Sequence, residues 1–239
     1  MIRAYEPGTP SMKLYIGNKN YSSWSMRPWV LMRECGIEFD EVMVRFDGFD
    51  GDSRFKQVIS ALNPAGKVPV LVDGDLAVWD TLAIAEYVAE RFAEKALWPH
   101  DREARARARS VCAEMHSGFS ALRGACPMNI EASLPQIGAL VMRDRPAVGA
   151  DLQRICSMWS DLLHESGGPM LFGAFSVADA FYAPVVMRIK TYALPVPTDV
   201  QVYMDRVLNL QGVRAWIEGA LAEQDFRDFE EPYRMSRLG

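Results

Sequence analysis

The sequence predicts an α/β domain of order β-α-β-α-β-β-α followed by an all-helical domain. Three observations carry that expectation. Period-2 apolar alternation is confined to the first part of the chain, as in Val42, Val44 and Phe46. A hairpin signal, Asp73-Gly74-Asp75, runs directly into a helical pattern. From residue 102 onward the patterning is helical.

Residues 12–17 (MKLYIG) alternate and read as the first strand. A polar loop, NKNYSSWS, leads into a helix from about Ser25 to Cys35, with Ser25 as its cap. Pro28 falls in the first turn, where its missing N–H costs little, and Gly36 is a stop. Residues 41–46 form the second strand and 52–62 a short helix. Strands at 68–72 and 76–79 flank the turn, and Leu82, Ile84, Ala85 and Val88 give residues 81–92 a helical face. This order is that of a thioredoxin-like domain, over residues 12–93. A linker, 94–101, breaks at Pro99. The helical domain, 102–239, begins with one long helix over 102–122, broken at Gly124–Pro127. Further helices fall at 147–165, stopped by Gly167-Gly168-Pro169, at 176–192, and at 200–223 as one or two segments. Ser176 and Asp179, three apart ahead of an apolar run, form a capping box with a structural role. Residues 1–11 form an N-terminal extension with proline, glycine and no apolar core, unlike a signal peptide.

Composition narrows the function. Charged residues are 24% of the chain and the net charge is −5, so nothing in the electrostatics draws it to nucleic acid. Arg102, Arg105, Arg107 and Arg109 are interleaved with alanine and Glu103, as on a solvated helical face or a subunit contact. No apolar run approaches about 18 residues, which argues against a membrane span. The four cysteines (Cys35, Cys112, Cys126, Cys156) and three histidines (His100, His116, His164) lack metal-site spacing. No disulfide or metal is expected, and a reducing cytoplasm is the default setting.

The chemistry gathers in Asn63–Ile84, NPAGKVPVLVDGDLAVWDTLAI. Pro69 opens a strand, where it cannot donate to the ladder, and Val68-Pro69 is a candidate cis bond. That geometry would leave the Val68 backbone to pair with an extended peptide. Asp80-Thr81 falls at a strand-to-helix turn, where free N–H groups attract a carboxylate. The stretch resembles the glutathione-binding half of the glutathione transferases, in which a valine–proline pair precedes the third strand. The family's Ser-x-Ala-Ile stands here as Thr81-Leu82-Ala83-Ile84. The resemblance implies that Val68 and Pro69 hold the cysteinyl backbone of glutathione, Asp80 and Thr81 its γ-glutamyl end, and Lys67 its glycyl carboxylate.

The loop Tyr21-Ser22-Ser23-Trp24-Ser25-Met26-Arg27 resembles the Ser-Ser-Cys-Ser-x-Arg signature of zeta-type transferases, which include maleylacetoacetate isomerases. A thiol of pKa about 8.5 is mostly protonated at neutral pH, and the thiolate is the nucleophile. Lowering it by about two units takes roughly 2.7 kcal/mol of preference for the anion. A hydroxyl donor beside a helix N-terminus can supply that. Aligned on the zeta signature, Ser22 takes the thiolate-stabilising position; Ser23, four before Arg27, is the alternative. Trp24 stands where that signature has cysteine and adds an aromatic wall. No cysteine lies in the loop, which argues against a glutaredoxin-like oxidoreductase; Cys35 reads as a buried small hydrophobe.

His116 and Arg123, seven apart on the long helix, share a face and are candidates for orienting an acidic second substrate. The resemblance therefore implies a serine-type glutathione transferase acting in detoxification. Its partners are glutathione and a small electrophile, and it forms a homodimer. Two other outcomes stay open: glutathione-dependent isomerisation of a maleylacetoacetate-type diacid, and a non-catalytic binding or regulatory protein of the same fold.

Overall fold

A computed structural model describes residues 12–237; the N-terminal extension, 1–11, lies outside the described residues. The first half follows the predicted order. Strand β1 (Lys13–Ile16) is followed by helix α1 (Ser23–Glu34), strand β2 (Asp40–Met43) and helix α2 (Arg54–Ser60). Strands β3 (Val70–Asp73) and β4 (Leu76–Trp79) form the hairpin, and helix α3 (Thr81–Arg91) closes the unit. The strands lie in the order β2-β1-β3-β4. β1 runs parallel to β2 and antiparallel to β3, with Tyr15 opposite both Val42 and Val70.

The alternation in β1 separates two cores. Leu14 and Ile16 point into a core continuous with α1, α3 and the later helices, whereas Tyr15 leans toward a smaller cluster of Phe46, Phe55, Ile59 and Val70 under α2. Helix α1 is thus a shared wall, with the sheet on one side and helices on the other.

After a 3₁₀ turn at Ala93–Lys95 the chain is helical: α4 (Arg102–Ser117), α5 (Ser120–Ala125), α6 (Pro135–Asp144), α7 (Pro146–Ser166), α8 (Val177–Tyr192), α9 (Thr198–Asn209) and α10 (Gln211–Glu223). The expected long helix over 102–122 is two helices. Gly118 ends α4 in an extended conformation, and Phe119, at φ 55°, turns the chain before α5. Helix α6 was not foreseen. Proline at its first turn starts it, and Gly138 lets it pass so close to α8 that a Cβ there would lie 1.8 Å from the carbonyl oxygen of Tyr192. Arginines of α4 meet solvent and carboxylates, Arg109 pairing with Glu86.

Helix α8 is the axis of the second half, with every residue but Lys190 buried. Its capping box is formed as expected: Ser176 accepts from the Ala178 N–H, and Asp179 accepts from the Ser176 and Leu171 N–H groups and from the Tyr203 hydroxyl.

The tail after α10 folds back over the first half. Lys19 N–H donates to Glu223 at 2.6 Å, Asn18 and Arg45 to Asp225, and the Tyr21 hydroxyl to Glu231 at 2.8 Å. Asn129 and Arg234 also donate to Glu231, which is buried.

Candidate functional site

A cleft of about 800 Å³ opens between the two halves. All ten candidate residues line it: Ser22, Ser23 and Trp24 from the start of α1, Lys67, Val68 and Pro69 ahead of β3, Asp80 and Thr81 at the start of α3, His116 on α4 and Arg123 on α5.

Val68-Pro69 is a cis peptide, and among the described residues the Val68 backbone makes no hydrogen bond to the rest of the chain. Asn63 braces this turn through a side-chain donation to the Lys67 carbonyl. Asp80 is the cap of α3, its Oδ1 accepting from the Leu82 N–H at 2.9 Å. Its φ of 75° is unusual for a residue with a side chain, and such conformations cost roughly 1–3 kcal/mol and gather at ligand clamps. Its other carboxylate oxygen faces His116 Nε2 at 3.4 Å. Thr81 is fully buried and its hydroxyl has no partner, a donor held ready beside a helix N-terminus.

The serine loop departs from expectation in one respect. Ser22, not Ser25, caps α1; its Oγ accepts from the Ser25 N–H and donates to Ser25 Oγ at 2.7 Å. Ser25 Oγ in turn accepts from the Gly17 N–H, tying the loop to the end of β1. Ser23 is buried, and its Oγ accepts from Arg188 Nη2 at 3.2 Å. The adjacent Tyr21 hydroxyl is committed to Glu231, and burial is the main cause that pushes its pKa up to about 12, so it holds its proton.

His116 and Arg123 do not share a helix face, because the turn at Phe119 separates α4 from α5. They converge on Trp24 instead. The His116 ring meets it edge-on at 5.0 Å and the Arg123 guanidinium lies 5.0 Å from its centre. Arg27 stacks on the same ring at 4.2 Å and is almost wholly buried, with Nε and Nη1 lacking hydrogen-bond partners. Burial, then repulsion from Arg123 and Arg188, bring its pKa down to about 9.

Cys35 is half-buried rather than buried. Burial pushes its thiol up to about 11, with Glu34 adding to the effect, so it is a poor nucleophile. Among the described residues no group of His, Cys, Asp and Glu is placed to hold a metal, and no helix is long and apolar enough to cross a membrane.

Sequence reasoning missed Arg188 and Glu230, which also line the cleft. Arg188 sits on a helix with no polar face, and that isolation among apolar residues was the one signal available for it.

The fold and cleft define a class: a thioredoxin-like half with an unpaired backbone edge at Val68, closed by a helical half. The profile described as "Glutathione S-transferase, N-terminal domain" matches residues 21–91. Glutathione S-transferase F14 of Arabidopsis thaliana is 30% identical over 196 residues, covering 78% of this chain and 71% of its own length. The chain belongs to the glutathione S-transferase family. Glutathione S-transferase 1 of Dianthus caryophyllus is 37% identical over 98 residues, which span only 42% of its length and 41% of this chain. Zeta-class proteins also match, as does a maleylacetoacetate isomerase of Pseudomonas aeruginosa, 32% identical over 121 residues, 50% of this chain and 55% of its own. Among solved structures, a glutathione transferase homolog from Burkholderia with bound glutathione superposes with a TM-score of 0.64 at 24% identity, covering 88% of this chain and 98% of that one.

Proposed function

We propose that the protein activates the thiol of glutathione for attack on a small electrophile, using residues 12–93 to hold glutathione and the helical half to shape the second site. One observation carries this reading: the serine loop, the Val68 edge and the buried hydroxyl of Thr81 share one cleft. An extended γ-glutamyl peptide pairs its cysteinyl backbone with Val68, places its α-carboxylate at the start of α3, and brings its sulfur to the start of α1. Asp80 accepts from its amine, and Lys67 meets its glycyl carboxylate.

Of the two serines, Ser23 fits the thiolate better. Ser22 Oγ is engaged with both the Ser25 N–H and the Ser25 hydroxyl, whereas Ser23 accepts from Arg188 and has its proton to give. The thiol gives its proton to solvent and the thiolate attacks the electrophilic carbon; as the C–S bond forms, the displaced electron pair departs with a leaving group or, in an addition, stays on the substrate and takes up a proton from solvent. Trp24, His116 and Arg123 flank that carbon. The family's homodimer and a cytoplasmic, detoxifying role belong to the same reading.

A second reading is favoured by the cationic wall of Arg123 beside His116, and by the isomerase relative. In it a diacid is held by its carboxylate, and glutathione adds and departs without being consumed.

Titration of glutathione with the ultraviolet thiolate band followed against pH tests the proposal. Binding with a bound thiol well below the free value is expected. Binding without that shift indicates a carrier, and no binding at millimolar glutathione overturns the proposal.

A further inference from the structure

Arg188 rises from the C-terminal half of α8, in which every residue but Lys190 is buried, and among the described residues forms no ion pair with a carboxylate. Its Nη1 donates to the carbonyls of Arg123 and Cys126, and its Nη2 donates to Ser23 Oγ. The charged and titratable groups that face it are Arg123 on α5, Tyr192 on its own helix, Cys126 beyond α5 and Glu230 of the tail. Arg27, on α1, feels both Arg123 and Arg188, with Asp80 and Cys112 on its other sides. Among the described residues none of the three guanidiniums forms an ion pair with a carboxylate; Arg123 spends its donors on the carbonyls of His116 and Gly118. One cation, Arg188, therefore backs a serine hydroxyl that opens on the cleft, and two more, Arg27 and Arg123, stand on the adjacent Trp24 ring. Burying a charge is costly unless something opposes it. Here Glu230 and Asp80 oppose the charge only from beyond ion-pair distance, which leaves room for an anion on the cleft side of Ser23.

We infer that Arg188 is a positioning residue that acts through Ser23, an inference that rests on the glutathione reading above. By donating to Ser23 Oγ it fixes the rotor, turns the hydroxyl proton toward the cleft, and polarises the O–H bond toward the glutathione sulfur. A hydroxyl that accepts from a cation is a stronger donor than one that accepts from nothing, because linked hydrogen bonds strengthen one another in a low-dielectric site. No bond is made or broken at Arg188. Arg27 and Arg123 add charge at longer range, so the sulfur sees both a single short donor and a positive field.

The test compares wild-type protein with Arg188→Met, Arg188→Lys, Ser23→Ala and the Ser23→Ala/Arg188→Met pair. Glutathione affinity is measured by calorimetry and the bound thiol is titrated by its ultraviolet band. Arg188→Met keeps the volume and removes the charge. It is expected to raise the bound-thiol pKa by about one unit, roughly a tenfold loss of thiolate well below that pKa. Affinity above the thiol pKa should stay within about threefold. Arg188→Lys keeps a cation without the planar fork and should show a smaller rise in the same direction. The double variant should exceed Ser23→Ala by much less than the Arg188→Met change alone, because the two groups act in series.

A folded Arg188→Met protein with the wild-type thiol pKa overturns the inference. If Arg188→Met does not fold, an unshifted Arg188→Lys overturns it equally, as does full additivity in the pair. A wild-type protein that binds glutathione without lowering its thiol overturns the functional reading and this inference together, and is recognised before any variant is made.

Discussion

His116 Nε2 lies 3.4 Å from Asp80 Oδ2, joining α4 of the second half to the cap of α3 in the first. The cap oxygen Oδ1 is meanwhile held by the Leu82 N–H, so one carboxylate serves a helix end and faces the cleft at once. Asp80→Ala should weaken glutathione binding about tenfold, about 1.4 kcal/mol, and cost about 1 kcal/mol of stability through the lost cap. Asp80→Asn keeps a cap acceptor and should lose affinity with stability nearly intact. Calorimetric titration and thermal unfolding of both variants separate the two roles. Unchanged affinity in both would remove Asp80 from the site.

The serines should divide in the same way. Ser22→Ala removes the N-cap of α1 and is expected to destabilise by about 1 kcal/mol, with the bound thiol little altered. Ser23→Ala should leave stability within about 1 kcal/mol and raise the bound-thiol pKa by one to two units, roughly 1.4–2.7 kcal/mol of lost thiolate preference. The reverse pattern would return Ser22 to the thiolate.

Asp179 supplies a pH dependence with a definite sign. Burial pushes its carboxyl up to about 6, even though four donors on Leu171, Ser176 and Tyr203 oppose the effect. Its folded pKa lies above the unfolded value of about 3.9, so its contribution is fully present below about pH 4 and is lost as pH rises through 6. Relative to Asp179→Asn, wild-type stability should fall by roughly 2–3 kcal/mol between pH 4 and 7. Denaturant unfolding of both proteins across that range checks it. Asp179→Ala, which strands several buried donors, should cost about 3 kcal/mol at any pH.

The cysteines should be quiet. Cys35, Cys126 and Cys156 are each pushed up to about 11, mainly by burial, and Cys112 higher still. At neutral pH a thiol of that kind is about a hundredfold or more poorer in thiolate than a free cysteine near 8.5. Iodoacetamide at pH 7 should therefore leave all four unmodified over an hour, by intact mass, until denaturant is added.

The sequence was most legible where function and local chemistry coincide. Val68-Pro69, Asp80-Thr81 and the serine loop each carry turn or cap requirements that only certain residues meet, and the structure brings all three to one cleft. It was least legible where tertiary packing decides. Phe119 breaks a periodic helix through its own φ, a conformation that its side chain does not announce. Gly138 reads as a weak helix residue until the carbonyl of Tyr192 is seen to fill the space beside it. Arg27 enters the sequence reading only as the arginine that closes the serine-loop signature, and nothing local places it between Trp24 and Phe181 with almost no exposure. Assigning it needs the second half of the chain in place.

The tail that ties Glu231 to Tyr21 has a consequence in the order in which the chain is made. The serine loop is translated early and Glu231 some two hundred residues later, a sequence separation of 210. At rates of about 5–20 residues per second, the first half is exposed for roughly ten seconds or more before its cover arrives. During that interval the shared wall of α1, with Trp29, Val30 and an unaccompanied Arg27, faces water on the side later taken by α8 and α10. The newborn first half is therefore a different molecule, chemically, from the same residues in the finished protein.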